Sequence, residues 1–190
     1  MGQYYIAVFM RRSRESPDAP WTYTIVGSLN PRAFGCLGKL MEHSYVCNPF
    51  VTSASSLLCK EGGFPASEVC LAWAGDYADG EPDTDKNLYS ASKDCADLAV
   101  VGGIRMSKYP YLLNHDKRSF VCIPYGSEHR VLHPLPILTA EGNGRGGGDL
   151  PQTHPWAPFV GTWARDVLSL SDSRPPDGAD WSELILPVGV

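Results

Sequence analysis

The segment with the most suggestive chemistry is 142–149, where five glycines surround Arg145. Glycine permits positive φ and close approach of the backbone, so successive N–H groups can form a nest for phosphate, and Arg145 adds a bidentate cation. The spacing matches neither the P-loop nor the dinucleotide fingerprint, and a structural loop with left-handed turns is the alternative. The predicted ligand-binding residues are Gly142, Asn143, Gly144, Arg145, Gly146, Gly147, Gly148 and Asp149.

A second candidate site is the acidic run at residues 76–85, which contains Asp76, Asp79, Glu81, Asp83 and Asp85. Clustered carboxylates on an irregular loop are the ligands that Mg²⁺ and Ca²⁺ prefer, so these two ions are the cofactor candidates. Asp76, Asp79 and Glu81 are the predicted metal ligands. The order of the acids differs from that of an EF-hand, and a solvated loop in which Asp76 caps a turn is the alternative.

Acids that recur beside glycine turns and tryptophans form a third candidate site. Glu61 with Asp76, and Glu141 with Asp166, are the two pairs. Such surroundings can raise a carboxyl pKa for general acid–base work. The alternative is that the repeated Trp-Ala-x-Asp buries its indole and caps the following turn.

The histidines and cysteines carry weaker signals. His129 and His133 have the i, i+4 spacing of metal ligands, but Pro134 and Pro136 disfavour the helix that would place both rings on one face. The six cysteines include no Cys-x-x-Cys pair, and the chain has no Gly-x-Ser-x-Gly elbow. We therefore expect reduced, mostly buried thiols, as is usual in the cytoplasm.

The elements that position these residues are predicted to occur in two related units, at about residues 3–79 and 108–172. Leu-x-x-Glu-Gly followed by Trp-Ala-x-Asp occurs at residues 58–62 and 73–76, and again at residues 138–142 and 163–166. Each unit is predicted to contain a hairpin, a crossing segment, a Glu-Gly loop and a Trp-bearing strand, which is residues 69–73 in the first unit and 159–163 in the second.

Local signals define the parts of these units. Apolar and β-branched residues predict hairpins from strands 4–8 and 21–26 around a loop at 11–20, and from strands 109–114 and 119–123 around a turn at 115–118. Asn48 and Pro49 predict a helix start, and Gly62 ends the stripe that follows. We expect Ser53, Ser55 and Ser56 to lie closer to solvent than the apolar stripe of Phe50, Val51, Ala54, Leu57 and Leu58. In the second unit, the two prolines in 132–138 leave at most a short helical turn.

Composition and charge narrow the class of protein. The 190 residues are 43% hydrophobic and 19% charged, which suits one domain, and 19 glycines with 16 prolines favour many turns. We expect a strand-rich α+β single domain over residues 1–190. Residues 76–97 account for the whole net charge of −5, because this stretch contains seven acidic residues and two lysines. Nucleic acid is therefore an unfavourable partner, and the apolar stretches are too short for a membrane span or a signal peptide.

Four motifs of the chain are distinctive: residues 2–5, the segment Trp73-Ala-Gly-Asp-Tyr-Ala-Asp79, residues 114–117 and the segment Glu141-Gly-Asn-Gly-Arg-Gly-Gly-Gly-Asp149. Together they resemble the motifs of a family of hypothetical proteins from tailed phages, bacteria and some fungi. The resemblance covers most of the chain and implies a protein of intracellular, phage-related origin with no established activity. It carries no catalytic residue, and the insertion at residues 11–20 departs from the short first hairpin of that family.

Three functions are consistent with these features. The first is a small binding module for a phosphate-bearing ligand or nucleotide, which uses the glycine-rich segment. The second is an interaction or assembly protein without chemistry, which uses exposed strand edges and aromatics such as Trp156 and Trp181. The third is a metal-assisted hydrolase.

Overall fold

Strands form most of the regular structure of the chain. The structure, a computed structural model, describes residues 3–64, 69–82, 84–100, 102–126, 131–142, 150–175 and 180–187. Its strands are β1 (Tyr5–Ser13), β2 (Thr22–Leu29), β3 (Cys70–Gly75), β4 (Tyr111–Asn114), β5 (Ser119–Cys122), β6 (Ala140–Glu141), β7 (Leu168–Ser171) and β8 (Ser182–Glu183). Its α-helices are α1 (Leu40–His43), α2 (Pro49–Leu57), α3 (Leu88–Ser92) and α4 (Pro134–Leu138), and 3₁₀ turns lie at Pro31–Phe34, Met106–Lys108 and Ala157–Phe159.

The first sheet has the order β2-β1-β3-β6. Strand β1 is antiparallel to both β2 and β3, and β6 is parallel to β3. Residues 5–10 of β1 are buried on both faces of the sheet, which explains why this stretch is a continuous apolar run rather than an alternating one. The first hairpin is confirmed, but β1 continues to Ser13, so that the residues between its strands are 14–21 rather than 11–20.

The second sheet has the order β7-β4-β5-β8. Strands β4 and β5 form the predicted hairpin, in which Asn114 pairs with Ser119. The Asn114 Oδ1 atom accepts from the backbone N–H groups of Asp116 (3.0 Å) and Lys117 (2.9 Å), and Arg118 completes the turn with a φ of 47°. The turn chemistry of this hairpin is therefore local, which is why the sequence predicts it.

One hydrophobic core joins the two sheets. It includes Phe9 and Trp73 from the first sheet, Leu112 and Leu168 from the second, and the apolar face of α2. Because both sheets contribute to the same buried cluster, the protein is a strand-rich α+β single domain, as its composition predicts.

Helix α2 begins where the sequence predicts. Asn48 caps it by accepting from the N–H groups of Phe50 (3.0 Å) and Val51 (3.3 Å), and the apolar stripe that ends at Leu58 is buried. The helix ends at Leu57, before Gly62. The prediction for Ser55 and Ser56 was wrong, because α2 is packed on more than one side and both serines are buried.

Helix α4 is the short turn that its prolines allow. Pro134 and Pro136 lie in its first turn, where backbone N–H groups need no intrahelical acceptor. His133 caps the helix, since its Nδ1 atom accepts from the N–H of Leu135 at 3.1 Å.

The two halves share the order of hairpin, helix and a strand antiparallel to the first hairpin strand. The predicted strand at residues 159–163 was wrong. Trp73 lies inside β3, whereas Trp163 lies in a turn whose N–H bonds the carbonyl of Leu138, and the strand of that half begins at Leu168. Trp73 and Trp163 thus occupy different structures, and the internal repeat over 3–79 and 108–172 stays a prediction.

Candidate functional site

Several sequence motifs meet where the parallel strands β3 and β6 end. Trp73 pairs with Ala140 and Ala74 pairs with Glu141, so Gly75, the last residue of β3, and Gly142, the residue after β6, lie side by side. In open α/β sheets, ligands bind outside the carboxyl ends of the strands, and the β3/β6 pair has such an end although β6 is only two residues long. We call this place the β3/β6 end and define it by Gln3, Gly75, Asp76, Glu141 and Gly142.

Gln3 forms the floor of the β3/β6 end. It is 1% exposed, and its amide satisfies both ends when the oxygen accepts from the N–H groups of Tyr77 (3.0 Å) and Ala78 (3.3 Å) and the nitrogen donates to the Tyr5 hydroxyl (2.9 Å). A buried amide with partners on both ends is held in one orientation. Gln3 therefore connects the start of the chain to the turn after β3.

Only glycine fits on either side of this amide. A Cβ atom on Gly75 would lie 2.5 Å from the Gln3 amide and 2.9 Å from the carbonyl oxygen of Glu141. A Cβ atom on Gly142 would also lie 2.5 Å from the Gln3 amide. These distances are shorter than van der Waals contact, so both glycines are required by close approach rather than by a positive φ.

Asp76 forms hydrogen bonds with backbone groups of neighbouring segments. Its Oδ1 atom accepts from the N–H of Tyr4 at 3.0 Å, and its own N–H bonds the carbonyl of Tyr4 at 3.0 Å. The Asn87 amide donates to the carbonyls of Asp76 (3.0 Å) and Ala78 (3.2 Å). Asp76 therefore joins the residue before β1 to the turn after β3, and the capping of that turn by its side chain stays a prediction.

Glu81 and Glu141 share one arginine. The Arg165 Nη1 atom donates to Glu81 at 2.9 Å, its Nε atom donates to Glu141 at 2.7 Å, and its Nη2 atom contacts both carboxylates. The three side chains are only about one fifth exposed, and the two carboxylates raise the pKa of Arg165. Arg165 has a φ of 65°, an unfavourable conformation for this residue that its bonds to the glutamates and to the Leu71 carbonyl help to hold.

The three predicted metal ligands, Asp76, Asp79 and Glu81, each have different surroundings. Asp79 is exposed, Glu81 is bound to Arg165, and Asp76 bonds Tyr4. Within the described ranges, no group of three or more histidines, cysteines, aspartates or glutamates is arranged to hold a metal ion. Asp83 lies outside those ranges, and the metal site stays a prediction.

The predicted acid–base pairs have separate partners. Asp166 accepts from the Asn114 amide at 2.7 Å and pairs with Lys117, while Glu141 pairs with Arg165. Glu61 accepts a hydrogen bond from the Tyr109 hydroxyl, which lowers the pKa of Glu61 and raises that of Tyr109 to about 12. A lowered pKa is the opposite of the raised carboxyl pKa that acid–base work by Glu61 would need.

A buried histidine that the sequence does not single out lies beneath β3. The His43 Nε2 atom accepts from the Trp73 indole N–H at 2.8 Å, and its Nδ1 atom bonds the Leu37 carbonyl at 2.9 Å. Burial lowers the pKa of His43 to about 4. No spacing pattern around His43 marks it, because Trp73, which donates to its Nε2 atom, lies 30 positions further along the chain.

The other histidine and cysteine predictions have mixed outcomes. His133 is buried as the cap of α4, and its Nε2 atom has no partner among the described residues, which do not include His129. All six cysteines are free, as expected. The expectation that most are buried was wrong: Cys59 and Cys70 are buried, whereas Cys47 and Cys122 are exposed. Burial raises the pKa of Cys59 to about 12 and of Cys70 to about 11, so both thiols are unreactive at neutral pH.

The two tryptophans that were predicted to serve an interaction surface, Trp156 and Trp181, are buried and half-buried respectively. Trp156 is only 4% exposed and donates its indole N–H to the Pro187 carbonyl at 3.2 Å, so it is not the exposed aromatic that an interaction surface would need. Trp181 is half-buried against the edge of the His115 ring.

Of the predicted glycine-rich site, only Gly142 is described; residues 143–149, with Arg145, lie outside the described residues.

The β3/β6 end is the part of the described structure that brings together the largest share of the predicted site residues. No helix in the described ranges is long and apolar enough to cross a membrane. No protein-family model, no curated protein and no solved structure matches the chain.

Proposed function

We propose that the protein is a small binding module for a phosphate-bearing ligand or nucleotide, which the glycine-rich segment 142–149 holds at the β3/β6 end. The observation that carries this proposal is the position of Gly142. It follows β6 directly at the carboxyl end of a parallel strand pair, and it is seated against the buried Gln3 amide. A rigid floor at the root of such a segment reduces the entropy lost when its N–H groups bind an anion.

The excess of carboxylates at the β3/β6 end means that a bound phosphate needs an additional cation. Asp76, Glu81 and Glu141 supply three formal negative charges against the single positive charge of Arg165, so the described part of the site has two excess carboxylates. A phosphate bound there requires a cation of its own. Arg145 supplies it in this proposal, and Mg²⁺ held near Asp79 is the second source of positive charge.

The experiment is calorimetric titration of the wild type with inorganic phosphate and with nucleotides, each with and without Mg²⁺, at fixed moderate salt. We expect saturable binding that Arg145→Ala abolishes without loss of stability. Arg174→Ala is the matched control, because Arg174 pairs with Glu183 in the second sheet. Absence of binding by the wild type at millimolar ligand would overturn the proposal and favour an assembly role.

A thermal-shift series gives an independent readout. A ligand that binds only the native state stabilises it by about 2.7 kcal/mol at a concentration one hundred times its Kd. Arg145→Ala should lose this shift, and Arg174→Ala should keep it.

The proposal places this module in the cytoplasm. Its support is the set of six free thiols, since a reducing compartment keeps exposed cysteines such as Cys47 and Cys122 unpaired. The resemblance to phage-related proteins is compatible with such a location.

A further inference from the structure

A serine and a histidine are hydrogen-bonded to each other on the second sheet. The His115 Nε2 atom lies 2.7 Å from the Ser169 Oγ atom, although the two residues are 54 positions apart in the chain. A nucleophile within hydrogen-bond reach of a base is the arrangement that activates serine for covalent catalysis. The pair is separate from the β3/β6 end, which belongs to the first sheet.

The pairing of β4 with β7 brings the two side chains together. Leu113 pairs with Ser169, so the side chains of these two residues lie on the same face of the sheet. His115 comes two positions after Leu113 and continues on that face, where its N–H donates to the Val167 carbonyl at 3.0 Å. His115 and Ser169 are therefore diagonal neighbours on adjacent strands, and the backbone of the sheet sets the distance between them.

Packing orients the imidazole of His115. Ser169 is 3% exposed and His115 is half-buried. The rings of Trp181 and His115 meet edge to face, with their centroids 5.6 Å apart and their planes at 86°. The hydrogen bond at Nε2 and this aromatic contact hold the ring, so Trp181 takes the place of the third group that orients the base in a triad.

The surroundings of His115 keep its ring neutral. Burial lowers the pKa of His115, and the charge of Asp116 opposes this shift with a smaller effect. Asp116 is bound elsewhere, since its carboxylate accepts from Arg12 at 2.9 Å and from the N–H of Val167 at 2.8 Å. A neutral imidazole at pH 7 can take the proton of a serine hydroxyl.

We propose that Ser169 is a nucleophile with His115 as its general base, and that the pair hydrolyses small esters. The serine oxygen bonds the carbonyl carbon of the ester while its proton passes to Nε2, and the ester C–O bond breaks as the leaving alcohol takes that proton. Water then attacks the acyl group with His115 again as base, which releases the acid and returns a proton to the serine oxygen. The low exposure of Ser169 limits the acyl group to a small one such as acetyl.

The test uses p-nitrophenyl acetate as the probe. Release of p-nitrophenol is followed by absorbance, and the acetylated residue is located by mass spectrometry of peptides. We expect acetylation of Ser169 in the wild type. Ser169→Ala should abolish the saturable part of the release, and His115→Gln should slow acetylation of Ser169 by about 100-fold or more, because it removes the base.

Ser171 is the matched control within the same strand. It lies on the same face of β7 as Ser169, and its hydroxyl donates to the Ser173 carbonyl at 2.8 Å rather than to a histidine. Ser171 should stay unmodified in the wild type, and Ser171→Ala should react as the wild type does. If the hydrogen bond of Ser169 serves only the fold, neither serine reacts.

The decisive comparison is made in the wild type, so it does not depend on the folding of any variant. No acetyl group on Ser169, or equal acetylation of Ser169 and Ser171, would overturn the proposal. An unchanged rate of Ser169 acetylation in folded His115→Gln would also overturn it, because His115 would then not be the base. Since the pair lies outside the β3/β6 end, none of these outcomes bears on the phosphate site.

Discussion

Acidification should destabilise the protein through His43, whose ring is 0% exposed beneath the first sheet. Its Nε2 atom accepts from Trp73 and its Nδ1–H donates to the Leu37 carbonyl, so the bound form is the neutral imidazole. A second proton on Nε2 would face the Trp73 N–H, which is itself a donor. Protonation therefore breaks this hydrogen bond and places a charge in the core.

The sign and the size of the effect follow from the pKa. Burial lowers the pKa of His43 from 6.5 to about 4 in the folded state. The unfolded chain thus binds more protons between these values, and the stability that is present above pH 6.5 is lost as the pH falls towards 4. From about pH 7.5 to pH 5 the loss is roughly 2 kcal/mol for this one residue.

His133 causes a comparable loss of stability as the pH falls. Burial lowers its pKa to about 3, so it also stays neutral in the folded protein at pH 5. Together the two histidines account for a loss of roughly 4 kcal/mol over the same pH interval, a large fraction of the stability of an ordinary domain.

The assay is urea denaturation at both pH values for the wild type and for His43→Gln. Glutamine can accept from Trp73 and donate to Leu37, but it does not titrate. We expect His43→Gln to show about 2 kcal/mol less pH dependence than the wild type, whatever its stability at the higher pH. His154→Gln keeps both buried histidines and serves as the control. Equal pH dependence in His43→Gln and the wild type would refute the reasoning.

Three further substitutions test the packing around the site and the core. Arg165→Met should cost about 2 kcal/mol in urea denaturation, because two partly buried glutamates lose their shared partner; an unchanged midpoint would show that the ion pairs add nothing. Leu57→Ala should cost roughly 2–5 kcal/mol, since Leu57 is buried in the core, and a loss below about 1 kcal/mol would contradict this placement. Gly142→Ala should cost about 1–2 kcal/mol by displacing the Gln3 amide from its partners. In the Gln3→Ala background the same change should cost much less, and equal costs would show that the two residues do not touch.

Elements whose signals are local can be predicted from the order of the amino acids. Asn48 and Pro49 begin α2 because a cap and a fixed φ act within one turn. Asn114 forms the second hairpin turn with the two residues that follow it by two and three positions. Pro134 and Pro136 limit α4 to a short turn for the same reason, since proline acts on its own turn.

The candidate site exists only in the folded chain. Pairing of Ala74 with Glu141 joins segments that are far apart in the chain, and Arg165 then bridges Glu81 and Glu141. The hydrogen bond between His43 and Trp73 likewise joins two separate segments of the chain. No local pattern encodes these contacts, because strand order depends on which apolar faces can be buried together. The two Trp-Ala-x-Asp motifs look alike, yet Trp73 is buried in a strand and Trp163 is buried in a turn. The motif could not distinguish them, because a strand and a turn can each bury an indole ring.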